Sequence, residues 1–212
     1  TVVKKVGQKC LDAGAAKVLV LDNPCVDARR SYATSGIKAA VEGLKSPKAK
    51  VEYIDDNKWV TRKLPGARKL TEWPFYRDVL DADKLINVPV AKNHGSTTLT
   101  LSMKNLMGII GGNRGRIHVG IDQKLADISS FIKPALIVLD ATRVMFDGGP
   151  SGGDLKRVRI TNQVIAGVDP VAVDSYGATL FGMKGTDIGH IVRASEMGLG
   201  QIDLSRVRIV GA

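Results

Sequence analysis

Cysteine is scarce in this sequence. Only Cys10 and Cys25 occur among 212 residues, and they do not form a Cys-x-x-Cys pair. Zinc ribbons and iron–sulfur clusters are usually held by about four cysteine or histidine ligands, so we expect neither within this chain. The helical spacing around Cys10 favours a small core residue, whereas Cys25 follows a predicted strand end and should be exposed. The sequence leaves a disulfide between them open.

Aromatic residues and long apolar runs are also scarce. Aromatic residues make up 5% of the chain, so the core must consist mainly of Val, Ile, Leu and Ala, as in helices packed on a parallel sheet. No apolar run approaches the roughly 20 residues that span a bilayer, and no charged-then-apolar leader is present. We therefore expect no transmembrane segment. The default location is the cytoplasm, and export would require that a signal had been removed.

Acidic residues are fewer than basic ones. The 31 Lys and Arg residues exceed the 21 Asp and Glu residues, which gives a net charge of +10. This excess favours an anionic partner, such as a phosphorylated cofactor, nucleic acid or an anionic surface. The basic residues are scattered along the chain, however, and a generally basic, solubilising surface is the simpler interpretation.

Short apolar runs alternate with segments of helical spacing. This alternation predicts the α/β class, with a mostly parallel sheet flanked by helices on both faces. The predicted strands are 17–22, 50–55, 84–90, 135–140, 158–166 and 207–210, and the predicted helices are 2–11, 35–44, 74–82, 99–109, 121–132, 170–181 and 187–197. Residues 56–73 are polar and irregular and predict a hairpin. We expect a single domain over 1–212, with a small irregular subdomain around 56–82 as an alternative.

The most informative stretch is residues 86–118. A predicted buried strand leads directly into Lys92 and His94, and a short helix then carries Lys104 and Asn105. Side chains at the carboxyl ends of parallel strands meet at one rim of the sheet. We therefore expect Lys92, Lys104 and Asn105 to bind an anionic small molecule or cofactor there, assisted by backbone N–H groups. In the simpler alternative, Lys104 is a solvated lysine and Asn105 a local cap.

Histidines and carboxylates supply the candidate catalytic groups. His94 and His118 suit acid/base chemistry or metal binding, although His94 could instead bond its own backbone in a turn. His190 lies on an apolar helix and is expected to be structural. Asp140 ends a predicted strand, and Asp174 interrupts an apolar helix, where a carboxylate needs a partner such as a lysine of the same rim. The available donors fit several metals about equally, so no metal is predicted.

Two glycine-rich loops and a further aspartate belong to the same predicted rim. Asp22 ends the first predicted strand. Gly149 and Gly152, in the loop 147–153, would allow the backbone to approach a ligand closely, although a plain hairpin explains them equally well. We expect this loop and the loop 111–115 to be mobile lids over one site.

The chain resembles the domain of unknown function 362 family in four segments, which read VPVAKNHGSTTLTLSMKNLMGI, GRIH, IVLDATRVMFDGGPSGGD and VIAGVDPVAVDSYGATLFG. The family pattern maps onto Lys92, His94, Lys104, Asn105, Gly108, His118, Asp140, Gly149, Gly152, Asp169 and Asp174. Members often carry ferredoxin-like, cysteine-rich segments or twin-arginine export signals, and this chain has neither. It also lacks the strand that usually precedes the first helix, so we expect a truncated N-terminus.

The sequence leaves three functions open. The first is a small-molecule or cofactor-binding domain of a redox-associated protein, which includes an oxidoreductase-associated enzyme whose cofactor the sequence does not identify. The second is a non-catalytic binding or electron-transfer accessory module, with a ferredoxin-like domain or protein as its partner. Nucleic-acid binding comes third and is unlikely, because only the net charge suggests it.

Overall fold

A computed structural model describes residues 1–150 and 154–211. Gly152, a predicted ligand contact, therefore lies outside the described residues. Helices and strands alternate along the chain, which confirms the α/β class. None of the helices in the described ranges is long and apolar enough to cross a bilayer.

The N-terminal segment forms a small α/β unit. It consists of α1 (Val2–Asp12), β1 (Val18–Leu21), α2 (Ala28–Thr34), α3 (Ile37–Glu42) and β2 (Ala49–Glu52). Strands β1 and β2 pair in parallel. Helix α2 was not predicted, although Asp27 gives it an N-cap by accepting a hydrogen bond from the Arg30 N–H at 2.8 Å. An aspartate followed by a short polar helix is a weak sequence signal.

The irregular segment after β2 contains the expected hairpin. Strand β3 (Trp59–Lys63) pairs antiparallel with β4 (Glu72–Tyr76), and the short helix α4 (Arg77–Leu80) follows. The prediction that a helix begins at Pro74 was wrong. Phe75 and Tyr76 are completely buried as strand residues, and that burial outweighs the local helical pattern.

The main sheet has five strands. They are β5 (Ile86–Asn87), β6 (Val90–His94), β7 (Thr98–Thr100), β8 (Leu136–Met145) and β9 (Val158–Gly167). Strands β5 and β6 pair one after the other with β8, and all three run in the same direction. Strands β7 and β9 run in the opposite direction, against β6 and β8 respectively. The sheet is therefore mostly parallel, with two antiparallel strands.

Four α-helices lie between or after the strands of this sheet in the described chain. They are α5 (Ser102–Asn105), α6 (Ile121–Phe131), α7 (Pro170–Thr179) and α8 (Gly189–Glu196). The predicted helix 99–109 was wrong in its first part, because residues 98–100 pair with β6 as β7. Only α5 and a 3₁₀ turn at Leu106–Ile109 remain helical. The strand expected at 207–210 does not form, and most of that segment is exposed to solvent.

Asp140 does not end its strand as predicted. Strand β8 continues to Met145, because the antiparallel ladder with β9 extends that far and buries Val144 completely. Lys92 likewise lies within β6, whereas His94 is the last residue of that strand, as expected. Asp140 and Lys92 thus interrupt strands that continue, which an apolar-run criterion cannot detect.

Helix α5 lies between two apolar clusters. Met103 belongs to one cluster with residues of β8 and α7, whereas Leu106 and Met107 belong to the other with residues of α6. Lys104 and Asn105 stand between these core residues in the sequence. The fold therefore buries the backbone on which both polar side chains are carried.

Candidate functional site

Three cationic side chains and two imidazoles meet beside α5. We call this set the cationic cluster; it consists of Lys92, His94, Lys104, Arg114 and His118. Strand β6 supplies the first two, α5 supplies the third, and a 3₁₀ helix at Arg114–His118 supplies the last two. The structure thus brings together four of the predicted site residues and adds an arginine.

Lys104 is the most buried cation of the cluster. Its residue surface is only 9% exposed. Burial lowers the pKa of Lys104; the nearby Cys25 thiol acts in the opposite direction, and the positive charges of Lys92 and Arg114 lower it further. Across the described residues, no carboxylate oxygen lies within 4.0 Å of the Lys104 Nζ. Lys104 is therefore a buried cation without an ion-pair partner in that part of the chain.

The His94 and His118 rings stack on each other, with centroids 6.3 Å apart and an angle of 17° between the ring planes. His94 Nδ1 accepts a hydrogen bond from the Ser96 N–H at 3.1 Å, as the turn interpretation predicted. Burial lowers the pKa of His94 to about 4, and the positive charge of Lys104 contributes. A neutral ring whose Nδ1 accepts must carry its proton on Nε2, so His94 has one N–H donor left for a ligand.

Asp22 is the carboxylate of this region. It directly follows β1, and its backbone N–H donates to the Tyr32 hydroxyl at 2.6 Å. Burial raises the pKa of Asp22, and the positive charges of Arg114 and Lys92 lower it. Two cations of the cluster therefore act on Asp22, and with Lys104 the positive charge of these described groups exceeds the negative charge.

Arg114 fixes the loop after β1 to the cluster. Its guanidinium donates to the carbonyl oxygens of Asn23 at 2.5 Å, Pro24 at 3.2 Å and Met107 at 3.3 Å. These acceptors carry no net charge, so the positive charge of Arg114 is not neutralised by them. The predicted lid 111–115 is thus tied to the body of the protein at Arg114, and its mobility stays a prediction.

Asp174 has backbone partners and not the lysine that the sequence suggested. Its Oδ1 accepts the Ser102 N–H at 2.7 Å, and its Oδ2 accepts the Met103 N–H at 3.0 Å. The expectation of a lysine partner was wrong, because free N–H groups at the start of α5 satisfy the carboxylate. Burial raises the pKa of Asp174 to about 6, against the effect of these hydrogen bonds.

His190 lies against Asp174 and the cationic cluster. It is completely buried, and its Nε2 is 4.0 Å from Asp174 Oδ2 while its Nδ1 is 3.9 Å from Asp122 Oδ1. Burial lowers the pKa of His190 to about 3, and the positive charges of Lys104 and His94 contribute. The apolar helix around His190 had suggested a structural role only, and no local pattern indicates that its ring lies near Lys104.

Other predicted site residues make different contacts. Asn105 donates through Nδ2 to Asn87 Oδ1 at 2.8 Å, and Asp140 accepts hydrogen bonds from the Thr142 N–H and hydroxyl at 2.9 and 2.7 Å. A Cβ on Gly149 would overlap the Asn93 carbonyl oxygen, so glycine permits close packing against β6. None of these contacts is made to a side chain of the cluster, and the roles of the three residues in binding or catalysis stay predictions.

The cluster offers few ligands for a metal ion. In the ranges that the structure describes, no group of three or more His, Cys, Asp or Glu side chains could hold one. Cys10 and Cys25 are both free thiols. Lysine and arginine side chains are poor metal ligands but good donors to anionic oxygens. The side chains of the cluster are therefore mainly N–H donors.

Replacing Gly108 by alanine should disturb Asp22. A Cβ at this position would overlap Asp22 Oδ1 and lie 3.1 Å from its Cγ, so the carboxylate would have to move. We expect Gly108→Ala to lower the free energy of unfolding by about 1–3 kcal/mol, measured by urea denaturation. Gly95→Ala is the control, because a Cβ there meets nothing within 4 Å. Equal stabilities of the two variants would contradict this packing.

Replacing His190 by phenylalanine should make folding less sensitive to acid. Because the folded-state pKa of His190 is lowered to about 3, the unfolded chain binds more protons between pH 3 and 6.5. Above about pH 6.5, His190 is neutral in both states and its titration does not change the free energy of unfolding. As the pH falls below about 6.5, protonation of His190 in the unfolded chain lowers the free energy of unfolding. We expect wild-type protein to lose about 2 kcal/mol more than His190→Phe between pH 7 and pH 5.

Urea denaturation of both proteins at each pH measures this difference. Any change in packing caused by the substitution affects both pH values alike and cancels. Parallel curves of stability against pH would show that His190 is protonated as easily in the folded protein as in the unfolded chain.

Comparison with known proteins relates this chain to a family. An alignment of 131 residues shows 27% identity to the thylakoid-associated protein sll1697 of Synechocystis sp., and it covers 58% of the chain and 40% of that protein. The match thus spans less than half of the relative. No solved structure matches the chain. The profile of the family described as "Domain of unknown function (DUF362)" matches residues 1–179, and the chain therefore belongs to the domain of unknown function 362 family.

Proposed function

We propose that this protein is a small-molecule or cofactor-binding domain whose cationic cluster binds an oxyanion. The observation that carries this proposal is the burial of Lys104, a cation with 9% exposure and no carboxylate within 4.0 Å among the described residues. An unpaired buried charge is costly, and proteins usually pair such charges. A bound anion is the simplest partner.

The charge balance of the cluster supports this ligand class. Lys92, Lys104 and Arg114 carry three positive charges, and Asp22 supplies one negative charge near Lys92 and Arg114. An anion with two negative charges would therefore neutralise these four described groups. Burial lowers the pKa of Lys92 as it does that of Lys104. A bound anion would raise both pKa values again, which links binding to proton uptake.

The hydrogen-bonding capacity of the cluster points the same way. The lysine ammonium groups and the Nε2–H of neutral His94 are donors, and together they can surround the oxygens of a phosphate group or of a compact polycarboxylate. His94, with its pKa lowered to about 4, is a weak base at neutral pH. This observation favours the alternative of a non-catalytic binding module over one in which His94 abstracts a proton.

The redox association rests on the family resemblance alone. Under this proposal, a ferredoxin-like domain or protein would deliver electrons to a cofactor whose anionic group lies in the cluster. The exposed Cys25 thiol lies near Lys104, and no step of the proposal requires it.

Calorimetric titration tests the binding proposal. Inorganic phosphate, pyrophosphate and citrate are titrated into the wild-type protein at pH 7 and constant ionic strength, with chloride as the comparison. We expect saturable one-to-one binding of at least one of the three probes, and weakening of about tenfold or more by Lys92→Met. Lys45→Met, at an exposed position, should leave the affinity unchanged. Heat signals that are equal for chloride and all three probes would refute an oxyanion site.

A further inference from the structure

We propose that a second cavity, separate from the cationic cluster, binds a short-chain carboxylate. The cavity has a volume of about 200 Å³ and lies where α5, the end of α6 and the start of α7 meet. None of the five side chains of the cationic cluster lines it. The proposal therefore does not depend on oxyanion binding by the cluster.

One residue that lines the cavity carries a buried hydroxyl without a polar partner in the described chain. Ser129 is 4% exposed, and its Oγ has no hydrogen-bond partner among the described residues. The Asn87 amide in the same wall is already satisfied, because it donates to the Ser102 carbonyl oxygen and accepts from Asn105, both at 2.8 Å. A buried polar group without a partner is destabilising. A ligand oxygen that accepts from Ser129 would remove this cost.

The rest of the wall specifies an amphipathic ligand. Apolar side chains make up most of it, among them Met103, Leu106, Ile132 and Leu199. Lys133 is the single charged residue among those that line the cavity, and it is exposed. One cation at the mouth and an apolar interior suit one negative charge on an apolar tail. A multiply charged anion would find no second cation there.

The volume limits the length of the tail. Taking about 30 Å³ for each water-sized group, a cavity of about 200 Å³ holds about seven non-hydrogen atoms. This corresponds to a carboxylate with a chain of about four to six carbons. The carboxylate would lie between Ser129 and Lys133, and the chain would contact Met103 and Leu199.

Methionine methyl NMR tests this site directly. The protein has five methionines, and Met103 is the one that lines the cavity. Hexanoate is titrated into protein labelled with ¹³C at the methionine methyl groups, and Met103→Leu assigns the signal. We expect a saturable shift of the Met103 signal that is larger than the shifts of the other four. Absence of a Met103 shift up to about 10 mM hexanoate, a millimolar limit for weak ligands, would overturn the proposal.

Two variants locate the bound carboxylate. We expect Ser129→Ala to weaken hexanoate binding about tenfold, because it removes a hydrogen bond to a charged group. Lys133→Gln should weaken it about threefold, since the ion pair is partly solvated. Hexanol, which has no charge, should bind equally to wild type and Lys133→Gln. A Met103 shift that is unchanged by both substitutions would place the ligand elsewhere and also overturn the proposal.

Discussion

Replacing Asp127 by alanine lowers the free energy of unfolding by at least about 3 kcal/mol, the largest loss of stability that we expect. The Asp127 side chain is completely buried on α6. Its two oxygens accept the backbone N–H groups of Arg68, Lys69 and Leu70 at 3.0, 2.8 and 2.8 Å. Alanine would leave three N–H donors without their acceptor and would release this loop from α6.

Urea denaturation measures the effect, with Asp83→Ala as the control because Asp83 is an exposed carboxylate. The control should change the stability by less than about 0.5 kcal/mol. A loss below about 1 kcal/mol for Asp127→Ala would show that water replaces the carboxylate easily and that the loop is not held by it.

Replacing Lys104 by methionine produces opposite changes in stability and affinity. In the absence of ligand we expect the variant to be more stable by about 1–2 kcal/mol, because a buried cation is replaced by an apolar side chain of similar length. Phosphate or pyrophosphate affinity should fall by at least about tenfold, because a charged donor is lost. Thermal unfolding without ligand and calorimetric titration with the probe measure the two effects.

Lys45→Met is the matched control, and it should change neither quantity. A strong loss of stability in Lys104→Met, of about 3–5 kcal/mol, would mean that Lys104 neutralises a buried carboxylate after all. Unchanged affinity would mean that the anion is held without Lys104. Either result would contradict the role proposed here for this lysine.

The sequence could predict the part of the site that lies within one continuous segment. Lys92, His94, Lys104 and His118 fall in residues 86–118, and the polar interruptions in an apolar stretch reveal them. Their mutual proximity follows from a strand, a short helix and a loop that are consecutive in the chain. The α/β alternation was equally accessible, because it depends on local hydrophobic spacing.

The sequence could not predict the contacts that join distant segments. Arg114 donates to the Asn23 carbonyl oxygen, which lies 91 positions away in the sequence. Because every residue has a main-chain carbonyl, the residue type does not show which carbonyl accepts this hydrogen bond. The same reason explains why the predicted partner of Asp174 was wrong. Asp174 accepts hydrogen bonds from the Ser102 and Met103 N–H groups, which lie 72 and 71 positions away in the sequence. A polar side chain in an apolar segment indicates that it needs a hydrogen-bond partner. It does not indicate whether that partner is a side chain or the backbone.

The wrong helix at 99–109 has a related cause. Leu99 and Met103 have the spacing of an apolar helical face, whereas Leu99 and Leu101 have the spacing of a strand. Pairing of Thr98–Thr100 with β6 decides between them, because it gives the backbone groups of both strands partners. This pairing depends on the turn after His94, where the Ser96 N–H bonds to the His94 ring.

The arrangement of the histidines has a consequence for spectroscopy. The protein has three histidines; His94 and His118 stack on each other, and His190 is close enough to His94 and Lys104 for their charges to lower its pKa. Every imidazole resonance of the protein therefore originates within one small region. A ¹⁵N spectrum of selectively labelled histidine would contain no signals from other parts of the surface, and it could follow tautomers, protonation and ligand entry at the cluster without mutagenesis.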